Sequence, residues 1–188
     1  MSKKLIKISF ELFEESMMTN LKQTLFKINH RELIFASLMG SLAFAVRNVG
    51  FFVMISYPFR LDPRWVFSLL AACWAGPEGG LIAGTLAALK LDKPVQADLA
   101  AIPAHFLIGI VARLLITRKV NSVYACLLWP VVGVPLYLLT TLLFTPAAGT
   151  VALVPILAFI GVTSAVIAFA VGLAVEKRAS VLLGRIRG

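Results

Sequence analysis

Apolar residues run through this chain in long blocks, and polar residues collect between them. Four blocks, roughly 33–55, 97–116, 123–144 and 151–175, carry few charges. A helix rises about 1.5 Å per residue, so each block is long enough to cross a hydrocarbon core of about 30 Å. A fifth stretch, 65–89, is equally long but holds Gly76, Pro77, Glu78, Gly79 and Gly80 at its centre. It reads either as one broken span or as two short helices joined by a tight turn. Ahead of the blocks, Phe10, Phe13, Met17, Leu21, Leu25 and Ile28 recur every three or four residues, with Glu11, Glu14, Glu15, Lys22 and Gln23 around the rest of the wheel. That spacing predicts an amphipathic helix over 5–28, lying on the cytoplasmic membrane surface or against a partner. Asn29 followed by Glu32 predicts a capped start for the next helix.

Of the 188 residues 60% are hydrophobic, and 18 Lys or Arg face 9 Asp or Glu, for a net charge of +9. A globular domain has about 45–50% apolar and about 25% charged residues, so an ordinary soluble domain is excluded. A basic chain also suggests nucleic acid, but membrane sidedness accounts for the cations first. With 65–89 taken as two helices there are six membrane segments with both termini cytoplasmic. Thirteen cations then lie inside, and Arg60, Arg64, Lys90 and Lys93 lie outside. With one broken span the split is eight inside and nine outside, and the usual bias disappears.

The expected architecture is therefore an all-α integral membrane protein of the plasma membrane. An amphipathic helix covers 1–30, six transmembrane helices with the second and third short cover 31–176, and a basic cytoplasmic tail covers 177–188. Lys3, Lys4 and Lys7 lead into acids instead of an apolar core, so the start is expected to persist rather than act as a signal peptide. Cys73 and Cys126 lie in apolar runs without metal spacing and read as small buried hydrophobes.

The turn reads Trp74-Ala75-Gly76-Pro77-Glu78-Gly79-Gly80-Leu81-Ile82-Ala83-Gly84. Gly76 and Pro77 stop one helix, and Gly76, Gly80 and Gly84 form a small-residue stripe that lets another helix approach closely. A G-P-x-x-G-x-x-x-G turn between two short helices of a six-helix chain resembles the substrate-binding S component of energy-coupling factor (ECF) transporters, over roughly 33–176. Similar turns occur in membrane sensor domains of some histidine kinases. The resemblance implies a subunit that captures a vitamin or similar small molecule from outside and hands it inward through a transmembrane coupling subunit and two ATPases. It also implies that a small-residue track on the first segment, here Ala36 and Gly40, docks on the coupling subunit. Ser37, Ser41 and Ala45 form a second such track, and internal packing would use either equally well.

Ionisable groups at membrane depth are costly, so each is a site candidate. Arg47 and Asn48 lie toward the outer end of the first segment, where Arg47 either snorkels to the interface or faces a ligand carboxylate or phosphate. Arg60, Asp62 and Arg64 fall in the first outer loop, which in the resembled family helps to cover the pocket. Asp98 and His105 are seven apart and so share a helix face; His105 bonds either a neighbouring helix or a substrate. Arg113 is expected to anchor at the inner interface. Pro130 and Pro135 predict a kinked fifth segment whose Tyr137 and Thr141 suit a pocket wall, with Trp129 a weaker candidate. The expected substrate-binding set is Arg47, Asn48, Arg60, Arg64, Asp98, His105, Tyr137 and Thr141. Five outer cations, Arg47, Arg60, Arg64, Lys90 and Lys93, oppose the usual bias and favour an anionic metabolite.

No G-x-x-x-x-G-K-[ST] loop occurs, so ATP hydrolysis has to come from partners. No nucleophile, base and orienter can be assembled, and no enzyme activity, metal or cofactor is expected. The alternative is a membrane sensor or interaction module without transport activity, which would need an output domain where only 177–188 follow the last segment. An enzyme acting on lipid phosphates would need acids gathered on helix faces, yet Asp62, Glu78, Asp92 and Asp98 are scattered.

Overall fold

The computed structural model of the chain describes residues 25–26, 28–56, 59–91, 97–144 and 147–182. Nearly all of the amphipathic helix expected over 5–28 lies outside them, as do Lys93 and the end of the basic tail. Helix α1 is His30–Val49. A two-stranded antiparallel ribbon follows, β1 Val53–Ser56 and β2 Phe59–Leu61, then α2 Pro63–Ala88. Helix α3, Ala101–Thr117, is led in by the 3-10 turn Ala97–Ala100, and α4, Trp129–Phe144, by the longer 3-10 stretch Ser122–Leu128. Helix α5, Ala147–Leu182, closes the order and carries straight through 177–182, so the basic stretch begins as helix. Five helical stretches are long and apolar enough to cross a membrane: His30–Val49, Pro63–Ala88, Asp98–Thr117, Ser122–Leu143 and Val151–Arg178. Apart from the short ribbon in the first loop, the described architecture is all-α, consistent with a multi-pass membrane protein.

α2 is folded back on itself. Gly76 has φ 74° and ψ −158°, a conformation essentially reserved for glycine, and Pro77 then opens a new first turn where its missing N–H costs nothing. Arg64 Nη1 donates to the carbonyl of Ala87 at 3.3 Å. In a straight helix those residues would stand about 34 Å apart. The arms, 63–75 and 77–88, are each about 18–20 Å long.

The second arm is wedged between α1 and α3 because small residues line both its sides. A Cβ on Gly80 would overlap the carbonyl of His105, one on Gly84 would lie 3.2 Å from His105 Cβ, and Gly109 of α3 rests on the Gly76–Pro77 backbone. The glycine stripe legible in the sequence therefore meets α3. On the other side, Ala36 and Gly40 are buried, and a Cβ on Gly40 would lie 2.6 Å from Leu86 Cδ1 and 3.1 Å from Ala83 Cα. Those two residues, expected to dock a coupling subunit, are covered by the chain's own arm. The Ser37, Ser41 and Ala45 track is the one exposed.

The apolar block 123–144 is a composite of 3-10 and α-helix. Pro130 lacks the N–H that would continue an α-helical ladder from upstream, and a first turn is where that loss costs least. The chain instead coils as 3-10 from Ser122, capped by Asn121 Oδ1 accepting from Val123 N at 2.8 Å, and becomes α-helical at Trp129.

Successive elements run between two ends of one body. Arg47, Arg64, Ala87, Asp98 and Tyr137 meet at one end; Glu32, Ala75 and Arg113 meet at the other. The start of α1 and the end of α5 lie together, since Arg31 and Ile34 share a groove with Val181 and Leu182.

Candidate binding site at the Asp98 end

Asp62 begins the construction. Its side chain caps α2, Oδ1 accepting from Arg64 N at 3.2 Å, and its Oδ2 lies 2.7 Å from Arg64 Nε. That fixes Arg64 in the first turn, pointing across to the second arm and to Asp98. Arg64 Nη1 and Nη2 donate to Asp98 Oδ2 and Oδ1, both at 3.3 Å; Arg47 Nη2 pairs with Oδ2, and the Tyr137 hydroxyl donates to Oδ1 at 2.5 Å. A carboxylate offers about four lone-pair sites, and these four bonds occupy them. Asp98 is 0% exposed. Burying a charge is tolerable only when it is paired and bonded, and here two guanidiniums are matched by two carboxylates, Asp62 and Asp98.

Beside the cluster opens a cavity of about 80 Å³, lined by Asp62, Arg64 and Tyr137 at a polar edge, by Trp65 and Trp129, and by Val134, Leu157 and Ile160 with Gly133 and Gly161. The Trp65 ring is 5.2 Å from that of Trp129 and meets Tyr137 edge-on at 6.4 Å, and the Arg64 guanidinium sits 4.0 Å from the Trp65 centroid. Aromatic and cation–π contacts of this kind contribute of order 1 kcal/mol each. Gly133, one turn after Trp129, lets that ring lie along its own helix, since a Cβ there would be 2.7 Å from Cδ2.

His105 stands behind this wall and not in it. It is fully buried, with ring centroids 5.7 Å from Trp65 and 4.5 Å from Trp129. Its Nδ1 lies 2.6 Å from the Ala101 carbonyl, which can only accept, so Nδ1 carries a proton. Nε2 is 2.8 Å from Ser68 Oγ on the first arm of α2. The bond to Ser68 is a contact with a neighbouring helix, one of the two readings open for His105 from the sequence.

Of the eight residues expected to bind substrate, Arg64 and Tyr137 line the cavity, Asp98 lies one bond behind them, and Arg47 is joined to them only through Asp98. Asn48 instead ties α1 to the exit of the hairpin: its Nδ2 donates to the carbonyls of Phe44 at 2.9 Å and Leu89 at 3.4 Å, and its Oδ1 accepts from Leu91 N at 2.9 Å. Thr141 is buried and donates back to the Tyr137 carbonyl at 2.8 Å. Arg60 stands in β2 opposite Met54, with its side chain outside the described set.

Arg113, expected at the inner interface, is buried in a two-pronged pair with Glu32, Nη1 to Oε1 at 2.9 Å and Nη2 to Oε2 at 2.7 Å. Glu32 also completes a capping box with Asn29, accepting from Asn29 N at 3.2 Å while Asn29 Oδ1 accepts from Glu32 N at 2.8 Å. Trp65 and the apolar lining of α5 escaped the sequence reading. Asp62-Pro63 was the signal for Trp65, because a capping Asp and a first-turn Pro put the next aromatic at the same end as the loop. Leu157, Ile160 and Gly161 carry no such mark. Among the described residues no three His, Cys, Asp or Glu side chains converge as metal ligands. The chain matches no protein-family model, no curated protein and no solved structure.

Proposed function

We propose that this chain is a six-pass membrane protein that captures a small molecule from the outer side at the Asp98 end, as the substrate-binding subunit of an importer of the energy-coupling factor type. The observation that carries this reading is the aromatic cavity at that end, with its polar edge held by a preassembled ion cluster. Topology is argued from charge: if each hairpin arm crosses, thirteen cations fall on the Arg113 side, which is then cytoplasmic. Arms of about 20 Å are short for a 30 Å core and are accommodated by tilt or local thinning.

The local charge balance narrows the ligand. Arg47 and Arg64 are matched by Asp62 and Asp98, so two of the five cations that favour an anion offer no net attraction. A flat, uncharged or zwitterionic molecule suits the cavity better, stacking on Trp65 or Trp129 and exchanging hydrogen bonds with Arg64, Asp62 and Tyr137. Energy would come from partner ATPases through a coupling subunit.

The test is titration of the full chain in bilayer discs with carboxylated, zwitterionic and uncharged vitamins, read by tryptophan fluorescence. Uncharged or zwitterionic compounds are expected to quench, Trp129→Leu to remove the response, and Trp74→Phe to preserve it. A preference for the carboxylated compounds would sink the ligand assignment. No response to any compound, with no coupling subunit or ATPase co-purifying, would sink the transport reading.

A further inference from the structure

The polar edge of the cavity is unequally supplied with hydrogen-bond donors and acceptors. Asp98 is fully buried, and its lone pairs are already taken by Arg64, Arg47 and Tyr137. Arg64 directs three of its five N–H groups at Asp98 and the Ala87 carbonyl. Its side chain is 5% exposed, with the guanidinium held over the Trp65 ring. Most of its donor capacity is thus turned toward the protein.

Asp62 is placed otherwise. Its Oδ1 accepts one hydrogen bond, from Arg64 N, while Oδ2 meets Arg64 Nε at 2.7 Å without the alignment of a hydrogen bond. A carboxylate has about four lone-pair sites, so about three stay open, on a side chain 16% exposed at the cavity edge. The Tyr137 hydroxyl gives its proton to Asp98, so its oxygen has only lone pairs to offer. The other polar side-chain groups of the lining are the indole N–H of Trp65 and Trp129, which suit a ring nitrogen. Volume limits the ring. A buried cavity of about 150 Å³ admits benzene, so the 80 Å³ here takes one ring and no fused pair.

We propose that Asp62 selects the ligand, and that the ligand is a single-ring heteroaromatic amine. Its exocyclic N–H groups are given to Asp62 and the Tyr137 oxygen, and its ring lies against Trp65 or Trp129. A carboxylate desolvated without a donor costs binding energy, so a ring of the same shape that lacks N–H is rejected. The assignment rests on ligand capture at this cavity and narrows the uncharged class to molecules that give hydrogen bonds.

Tryptophan fluorescence of the full chain in bilayer discs, titrated with 2-aminopyrimidine, 2-methylpyrimidine and pyrimidine-2-carboxylate, tests it. The first two have nearly the same shape and differ in their N–H groups. The amine is expected to bind about tenfold more tightly than the methyl compound, as for hydrogen bonds to a charged group, and the carboxylate more weakly than either. Asp62→Asn keeps an equally good helix cap, so its thermal unfolding should stay near that of the parent chain. It should weaken the amine about tenfold and leave the methyl compound unchanged. Equal affinity for the amine and the methyl compound in the parent chain, or an amine preference that survives Asp62→Asn, would overturn the assignment and leave capture at the cavity standing. Silence toward all three rings alongside quenching by larger compounds would overturn the single-ring class. Silence toward every compound would sink the capture reading together with it.

Discussion

At the Arg113 end, Glu32 meets one guanidinium through two bonds of 2.9 and 2.7 Å, and the Gly76 turn closes over the pair so tightly that a Cβ there would lie 2.5 Å from Arg113 Nε. At the Asp98 end, one carboxylate serves two guanidiniums and a phenol, and two of those partners, Arg64 and Tyr137, also border a cavity. The chemistry is the same and the surroundings differ. Where backbone from three helices packs down on an ion pair, the pair can only hold them together. Where the ion cluster abuts aromatic rings and open volume, part of its bonding capacity can be turned toward a visitor. A buried arginine in a membrane helix is therefore read by what lies on its far side.

Removing Glu32 tests the structural half of that contrast and should give the largest effect. Glu32→Ala leaves Arg113 buried and unpaired, and about 3–5 kcal/mol of stability is expected to be lost. Thermal unfolding of the purified chain would show it, with the affinity of the surviving folded fraction unchanged; a Glu32→Leu, Arg113→Met double variant should recover most of the loss. If affinity fell in parallel, the two ends would not be separable.

Asp98→Asn, nearly isosteric, strips the charge that two guanidiniums share. Uncharged ligands are expected to weaken by about tenfold, because Arg64 and Tyr137 lose the charged partner that holds them at the cavity edge, while a carboxylated analogue gains affinity because the site becomes net positive. Calorimetric titration of both ligand types against the variant measures this, and an unchanged ligand preference would remove the charge-balance argument.

Gly80→Ala pushes a methyl against the His105 carbonyl and should cost about 1–3 kcal/mol by forcing α3 away. Ser68→Ala should cost about 1 kcal/mol and loosen His105 behind the tryptophan wall. The comparison would be sharpened if Ser68→Ala lowered affinity more than Gly80→Ala per unit of stability lost, because only the former leaves the helix packing intact.

Much of the fold was legible because single residues carried it. Asn29 and Glu32 cap α1 as a local pattern predicts, and Gly76-Pro77 reverses the chain because the backbone angles there exclude other residues. The glycine stripe announced a close approach and α3 supplied it. The site was legible only in part. Arg64, Asp98 and Tyr137 were marked by being polar in an apolar place, but Trp65 and Trp129 look like any buried aromatic, and Leu157 and Ile160 like any lipid-facing residue. The 3-10 stretch Ser122–Leu128 ahead of α4 had no mark in the sequence.

The sequence by itself determined the five long apolar stretches, the capped start of α1 and the place of the reversal, because each depends on composition or on neighbours within a few residues. Only the tertiary structure decided the pairings: Arg113 with Glu32 across 81 residues, and Arg47 with Asp98 across 51. Periodicity fixes which residues share a face within one helix. How deep that helix sits, and how far it is rotated against the next, is set by the fit of glycine and alanine surfaces across the interface. That fit also turned Ala36 and Gly40 inward and left the cations at Arg64 and Arg47 balanced.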